Sequence, residues 1–363
     1  MLPPADRRVL LASSAALIGV ASILAHDGNW RAVALLSVAA ALGTVFLTTN
    51  FGYTGAFRAW IARRDGSGLA AGIAVAMVAA PVIVPVASMV PGYSGFEAPI
   101  GAPLIGGAAL FGVGMQWGNG CGSGTLYSAG GGSRRMWVVL PFFCLGGLLG
   151  SLALPAAVAL PAIPEIVLPR ILGPWYGLVA TLLVAAALTG LVLGRGPRPT
   201  TAQLKTAALI GALAALAFTI SGQPWGVTTG LTLWGAKAAV VLGFDVANTT
   251  FWSWDGPKQA LMGSILAQDS SLMDIGMLLG ATIAAARMNT FRNQASPPFR
   301  GLLGAAIGGL LMGIGARLSF GCNIGALIGG IASGSLHGFV WFFAVLPGCW
   351  LGIRLRPLFG LSV

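Results

Sequence analysis

Two cysteines sit in glycine-rich settings that resemble each other. Cys121 lies in Asn119-Gly120-Cys121-Gly122-Ser123-Gly124-Thr125-Leu126, and Cys322 in Phe320-Gly321-Cys322-Asn323-Ile324-Gly325-Ala326-Leu327. A thiol offers a weak S–H donor and a polarizable sulfur, which suits a soft anion. Glycines beside it leave the backbone N–H groups open to close approach. If each run begins a helix inside a membrane, those unpaired N–H groups carry partial positive charge and form an anion site. Gly120, Gly122, Gly321 and Asn323 therefore join Cys121 and Cys322 as candidate substrate contacts. The competing reading is that the glycines only turn the loop while the thiols fill small holes. Recurrence at equivalent places favours function. Cys144 and Cys349 lie in apolar stretches without such glycines and read as packing. Arg317, five residues before Cys322, is a charge near a span end that could draw anions inward. Lys237 is a weaker candidate.

Other chemistry is missing from the sequence. There is no CxxC, His26 and His337 are far apart, and no metal-type cluster is present. No nucleotide-binding motif and no intramembrane carboxylate pair is seen, and the acidic residues are expected mostly at span ends. The expectation is a protein without cofactor or metal, and not an enzyme.

The elements that must position these thiols are set by composition. The chain has 363 residues, 56% hydrophobic and only 8% charged, with 55 glycines and a mean hydropathy of +0.86. Soluble domains carry about a quarter charged residues, so this is an all-α polytopic membrane protein in contact with the lipid bilayer. The net charge of +11 comes from basic residues between apolar segments. It fits a positive-inside topology and not nucleic-acid binding. Met1 to Arg8 is basic and Val9 to Ala25 apolar, which reads as an uncleaved first helix.

About ten transmembrane spans are predicted, over 9–25, 31–48, 69–90, 104–118, 136–160, 172–194, 204–221, 271–287, 301–318 and 338–353. Arg63/Arg64, Arg134/Arg135, Arg195 and Arg287 fall at one set of ends; Glu97, Glu165, Asp269 and Asp274 fall at the other. The basic side is assigned to the cytoplasm, with both termini there. Trp30, Trp175, Trp252 and Trp254 are expected in interface belts. Four segments are too polar and glycine-rich to span: 50–62, 118–132, 221–240 and 319–335. Each holds roughly ten helix-competent residues, which rise only about 15 Å, the length of a re-entrant half-helix.

The cysteine runs align, and so do Phe51-Gly52-Tyr53-Thr54 and Trp225-Gly226-Val227-Thr228. Gly52 and Gly226 thereby join the candidate site. The chain reads as two inverted repeats: residues 1–30 an extra N-terminal transmembrane helix, 31–165 the first repeat, 166–200 a linking helix and 201–363 the second. Inverted repeats with broken helices meeting near the midplane are a transporter or channel architecture.

Gly-Asn-Gly-Cys-Gly-Ser-Gly-Thr-Leu-Tyr (118–127), Gly-Ala-Arg-Leu-Ser-Phe-Gly-Cys-Asn-Ile-Gly-Ala (315–326), Gly-Ile-Ala-Ser-Gly-Ser-Leu-His-Gly (330–338) and Ser-Gly-Gln-Pro-Trp-Gly-Val-Thr (221–228) resemble the YeeE/YedE sulfur-transport family over nearly the whole chain. The resemblance implies an inner-membrane protein with four membrane-penetrating loops. It also implies uptake of thiosulfate or a related chalcogen anion, passed between loop cysteines by S–H hydrogen bonds, and a TusA-like sulfur carrier as partner. Cys121 and Cys322 match two of the family's loop cysteines. Its thiosulfate-type members carry another in the first loop, where this chain reads Phe51-Gly52-Tyr53-Thr54-Gly55. The second-half motif leans to the YedE-like branch, associated with selenium, so a selenium or other sulfur solute is the alternative. An intramembrane thiol oxidoreductase lacks the expected cysteine pair.

Overall fold

Glycine lets these helices meet backbone to backbone, and that contact organises the bundle. A methyl group at Gly43 would sit 2.0 Å from the Met277 carbonyl oxygen, and one at Gly348 1.8 Å from that of Ala109. The computed structural model describes residues 4–292 and 296–362. The first three residues of the basic N-terminal stretch lie outside the described residues.

The chain runs through α1 (Pro4–His26), α2 (Trp30–Thr49), α3 (Tyr53–Arg63), α4 (Ser67–Met89), β1 (Ile100–Gly101), α5 (Ala102–Gly118), α6 (Gly122–Gly130) and α7 (Arg134–Val158). It continues through β2 (Ala162–Ile163), α8 (Leu168–Leu172), α9 (Pro174–Leu193), α10 (Thr201–Ser221), α11 (Thr228–Val241), α12 (Asp255–Met262) and α13 (Asp269–Arg287). Last come α14 (Phe299–Leu318), a π-helical turn (Asn323–Gly329) running into α15 (Gly330–Ala332), and α16 (Leu336–Leu355). This is an all-α polytopic membrane protein; β1 and β2 form one two-residue antiparallel pair.

Among the described residues, eight helical stretches are long and apolar enough to cross a membrane. Two more long helices complete the bundle: α5, of 17 residues, and α13, which carries Asp269, Asp274 and Arg287. Each of the ten expected spans corresponds to one of these long helices. The four expected breaks also appear, as α3, α6, α11 and the π-turn with α15.

The packing pairs helices across the two halves of the chain. α2 lies parallel to α13, with Arg31 bonded to Asp269 at their starts and Gly43 on Met277 further along. α10 lies beside α4, with Gly211 on Val75 and Val78. α7 runs parallel to α14: Gly309 meets Val139, and Gly150 meets Ile314 and Arg317. α16 runs parallel to α5: Gly348 meets Ala109 and Gly352 meets Val113. α5 and α14 cross antiparallel at the centre, Gly114 on Met312 and Gly315 on Phe111.

Arg63, Arg134 and Arg287 mark one end of the bundle. At the other end Arg170 pairs with Glu97 and Glu165, and partial burial pushes the Glu97 carboxyl above its usual range, against the pull of Arg170. Two expectations need correction. Trp252 is buried and donates to Ser151 Oγ at 2.9 Å, so it is core and not interface; Trp30, Trp175 and Trp254 are exposed as expected. Asp274 is not at a span end. It lies more than one turn inside α13 and is fully buried.

Candidate functional site

Both cysteine loops are built alike. α5 ends at Asn119 in the left-handed region (φ 63°), and Cys121 follows in extended conformation (φ −101°, ψ −170°) as the cap of α6. In the second loop Phe320 is left-handed (φ 60°), and Cys322 is extended (φ −99°, ψ −165°) before the π-turn. The left-handed residue turns the chain back and the extended cysteine aims its sulfur along the start of the next helix. Cys121 Sγ accepts the Gly124 N–H at 3.4 Å and lies 3.5 Å from Ser123 Oγ. Cys322 caps the π-turn without a side-chain hydrogen bond.

The two loops meet. A methyl group placed on Gly122 would sit 3.0 Å from Cys322 Sγ. Both thiols are buried. Tyr53, at the start of α3, lines the same hollow as Cys121, and its hydroxyl is buried without a hydrogen-bond partner. Asn323, next to Cys322, is fully buried, and neither its oxygen nor its nitrogen has a partner. Unsatisfied buried polar groups cost free energy and call for an explanation. Here one such group lines the Cys121 hollow and the other follows Cys322 directly in the chain.

Hollows approach this junction from each end. One of about 430 Å³ is lined by Gly52, Tyr53, Arg58, Asn119, Gly120, Cys121 and Tyr127. The other, about 130 Å³, is lined by Phe96, Gln223, Trp225, Gly226 and Asp269. Cys322 lines neither. Gly52 abuts the Tyr127 hydroxyl, and the Tyr127 ring stacks on Phe46. Phe96 covers Gly226, Gly325 and Gly329. Gly321 lies against the Ala326 nitrogen, where a methyl group would come within 2.5 Å.

Positive charge gathers at the mouth of the larger hollow. Arg58 and Arg356 donate to Asn119 Oδ1 at 3.1 and 3.2 Å. Arg356 also donates to the Gln116 carbonyl at 2.6 Å, and Arg135 to those of Gly118 and Trp117. These guanidiniums satisfy the last carbonyls of α5. None of the ion pairs among the described residues involves them.

Thus Cys121, Cys322, Gly120, Gly122, Gly321, Asn323 and Gly52 cluster at or beside the junction, with Gly226 on the far hollow. Arg317 does not join them by contact: its guanidinium stacks 4.3 Å above the Phe251 ring. Lys237 donates to the carbonyls of Leu261 and Gly263 and ties down α12. Cys144 and Cys349 are buried within long helices. Tyr53, Tyr127 and Phe96 were not singled out from sequence. Tyr53 follows Gly52 directly in an aligned motif, which was the available signal.

A profile of the sulphur-transport family matches residues 48–351. The chain belongs to the sulphur-transport family. The matched stretch contains both cysteine loops and all four broken helices. The description of that family is sulphur transport, and the chain spans less than half the length of the YedE relatives it matches. It is 34% identical over 157 residues to the Escherichia coli protein named "Probable transporter YedE", covering 42% of this chain and 38% of that protein. It is 28% identical over 274 residues to a Spirochaeta thermophila protein named thiosulfate transporter TsuA, covering 68% of this chain and 75% of that one. A TsuA of Escherichia coli is 26% identical over 350 residues, 88% and 93% of the two chains.

Proposed function

We propose that this protein carries thiosulfate across the bacterial inner membrane, handing it between Cys121 and Cys322 by S–H hydrogen bonds. The observation that carries the reading is the junction itself: two similarly built cysteine loops touching between hollows from opposite ends. A dianion in a low-dielectric site needs compensating charge. Each helix N-terminus supplies roughly half a positive charge, so four broken helices supply about two. A neutral thiol donates without forming a covalent bond, so the ion can leave again. Tyr53 and Asn323 supply further unused donors, and the Arg58 mouth attracts the ion at the basic end.

The exchanged helix pairing supports two inverted repeats. α2 pairs with α13 as α10 pairs with α4, and α7 with α14 as α16 with α5. Arg31 at the start of α2 bonds the carbonyls of Ile220 and Ser221 at the end of α10, as opposed directions require. The basic end is taken as cytoplasmic, which places both termini there and makes that face the one for a TusA-like carrier. The test is uptake of radiolabelled thiosulfate into cells lacking their own sulfur uptake systems, with sulfate and selenite as competitors. Thiosulfate uptake that excess sulfate leaves intact is expected. Uptake of selenite without thiosulfate would overturn the assignment.

A further inference from the structure

We infer that Asp274 is a proton-binding site coupled to the anion path, so that the anion crosses together with a proton. The inference rests on the anion-transport reading above. Asp274 is fully buried in α13, and neither carboxylate oxygen has a hydrogen-bond partner. Its Oδ2 is pressed against Gly230 in the first turn of α11, where a methyl group would lie 2.4 Å from it. By contrast Asp269, just over one turn away, is paired with Arg31 at the bundle end.

An isolated carboxylate in an apolar interior is costly to ionise, and intramembrane carboxylates mark proton relays. The groups around Asp274 do not neutralise it. The Gly230 N–H donates to Ser270 Oγ, which donates in turn to the Gly226 carbonyl on the smaller hollow; Cys144 on α7, against Gly235 of α11, is a thiol. On α11 the cation is Lys237, committed to two carbonyls. On α2 it is Arg31, committed to Asp269. α6 presents Tyr127. On α1, Asp6, Arg7 and Arg8 lie at the basic end and His26 at the other, while Arg287 closes the far end of α13. What remains is the partial positive charge of the α11 N-terminus, which the bare Gly230 backbone brings close.

An ionised Asp274 repels a dianion in the hollow that Gly226 lines, and a protonated one does not. Proton and anion therefore each tighten the binding of the other by the same factor. One proton taken up at Asp274 accompanies the anion and is released when the anion leaves. No bond in the anion changes.

The purified full chain in liposomes, with a pH-sensitive dye inside, tests this. Wild type given external thiosulfate should acidify the lumen as label enters, and an acid-outside gradient should raise uptake about tenfold. Asp274→Asn should keep thiosulfate–thiosulfate exchange within about twofold while losing acidification and the gradient response. Asp274→Glu, which keeps a titratable carboxyl, should retain both; if neither variant assembles, the wild-type dye signal decides. Thiosulfate entry without acidification overturns the coupling alone. Acidification persisting in Asp274→Asn, or loss of its exchange, overturns the assignment to Asp274. No thiosulfate movement by wild type overturns the transport reading, and the coupling with it.

Discussion

Asn323→Ala separates a substrate contact from a packing residue by sign. The amide is fully buried with both polar atoms unpartnered, a state that costs about 1–3 kcal/mol. Alanine removes that cost and leaves a void of roughly 40 Å³, worth about 1 kcal/mol at ~24 cal/mol per Å³. The variant should therefore be as stable as wild type, or up to about 2 kcal/mol more so. Transport should move the other way. A hydrogen bond to a charged ligand contributes about 1.5–3 kcal/mol, so thiosulfate affinity should fall about 10- to 150-fold. The assay is the melting midpoint of the ligand-free protein in detergent beside the apparent KM in vesicles. A lower melting point with an unchanged KM would show that the amide holds the fold, and would refute the reasoning.

Three further outcomes follow from particular contacts. Gly122→Ala places a methyl group 3.0 Å from Cys322 Sγ, so vesicle uptake should fall about tenfold or more with normal membrane insertion; unchanged uptake would mean the anion passes elsewhere. Lys237→Met loses two 2.7 Å bonds to the carbonyls of Leu261 and Gly263; melting should drop while the KM for thiosulfate stays the same. Hydrogen bonds from the Ser67 hydroxyl and N–H hold the Asp65 carboxyl below its usual range. Its stabilisation is thus complete above the ordinary carboxylate pKa of about 4 and lost as pH falls through the depressed value. The melting difference between wild type and Asp65→Ala should shrink in acid, and a difference that grows there would be contrary.

The spans and the breaks were legible because both are composition: apolar runs near 20 residues, and glycine clusters that cannot span. The alikeness of the cysteine loops was legible too, down to Asn119 and Phe320 preceding Gly-Cys, which the structure places in the same left-handed turn. Depth and direction were not. Asp274 looked like a span-end acid, yet a helix rises 1.5 Å per residue, so the short step from Asp269 carries it into the core. Arg317 lies five residues before Cys322, but its side chain leaves the helix toward Phe251. Tyr53 follows Gly52 in the aligned motif, but its partner there is Val227, so the repeat marks the position and not the hydroxyl. Residues 242–268 fall between the expected break at 221–240 and the expected span at 271–287, and the structure builds α12 there, held by Lys237.

The most direct test of the central claim is thiosulfate uptake in vesicles by the four single cysteine-to-alanine variants and the Cys121→Ala/Cys322→Ala double variant, each normalised to protein in the membrane. Cys121→Ala and Cys322→Ala should each lose most uptake, with serine at either position restoring only part. Cys144→Ala and Cys349→Ala should stay near wild type, since both thiols are buried in long helices. Wild-type uptake by the double variant would contradict the account, because the anion would then cross without either thiol.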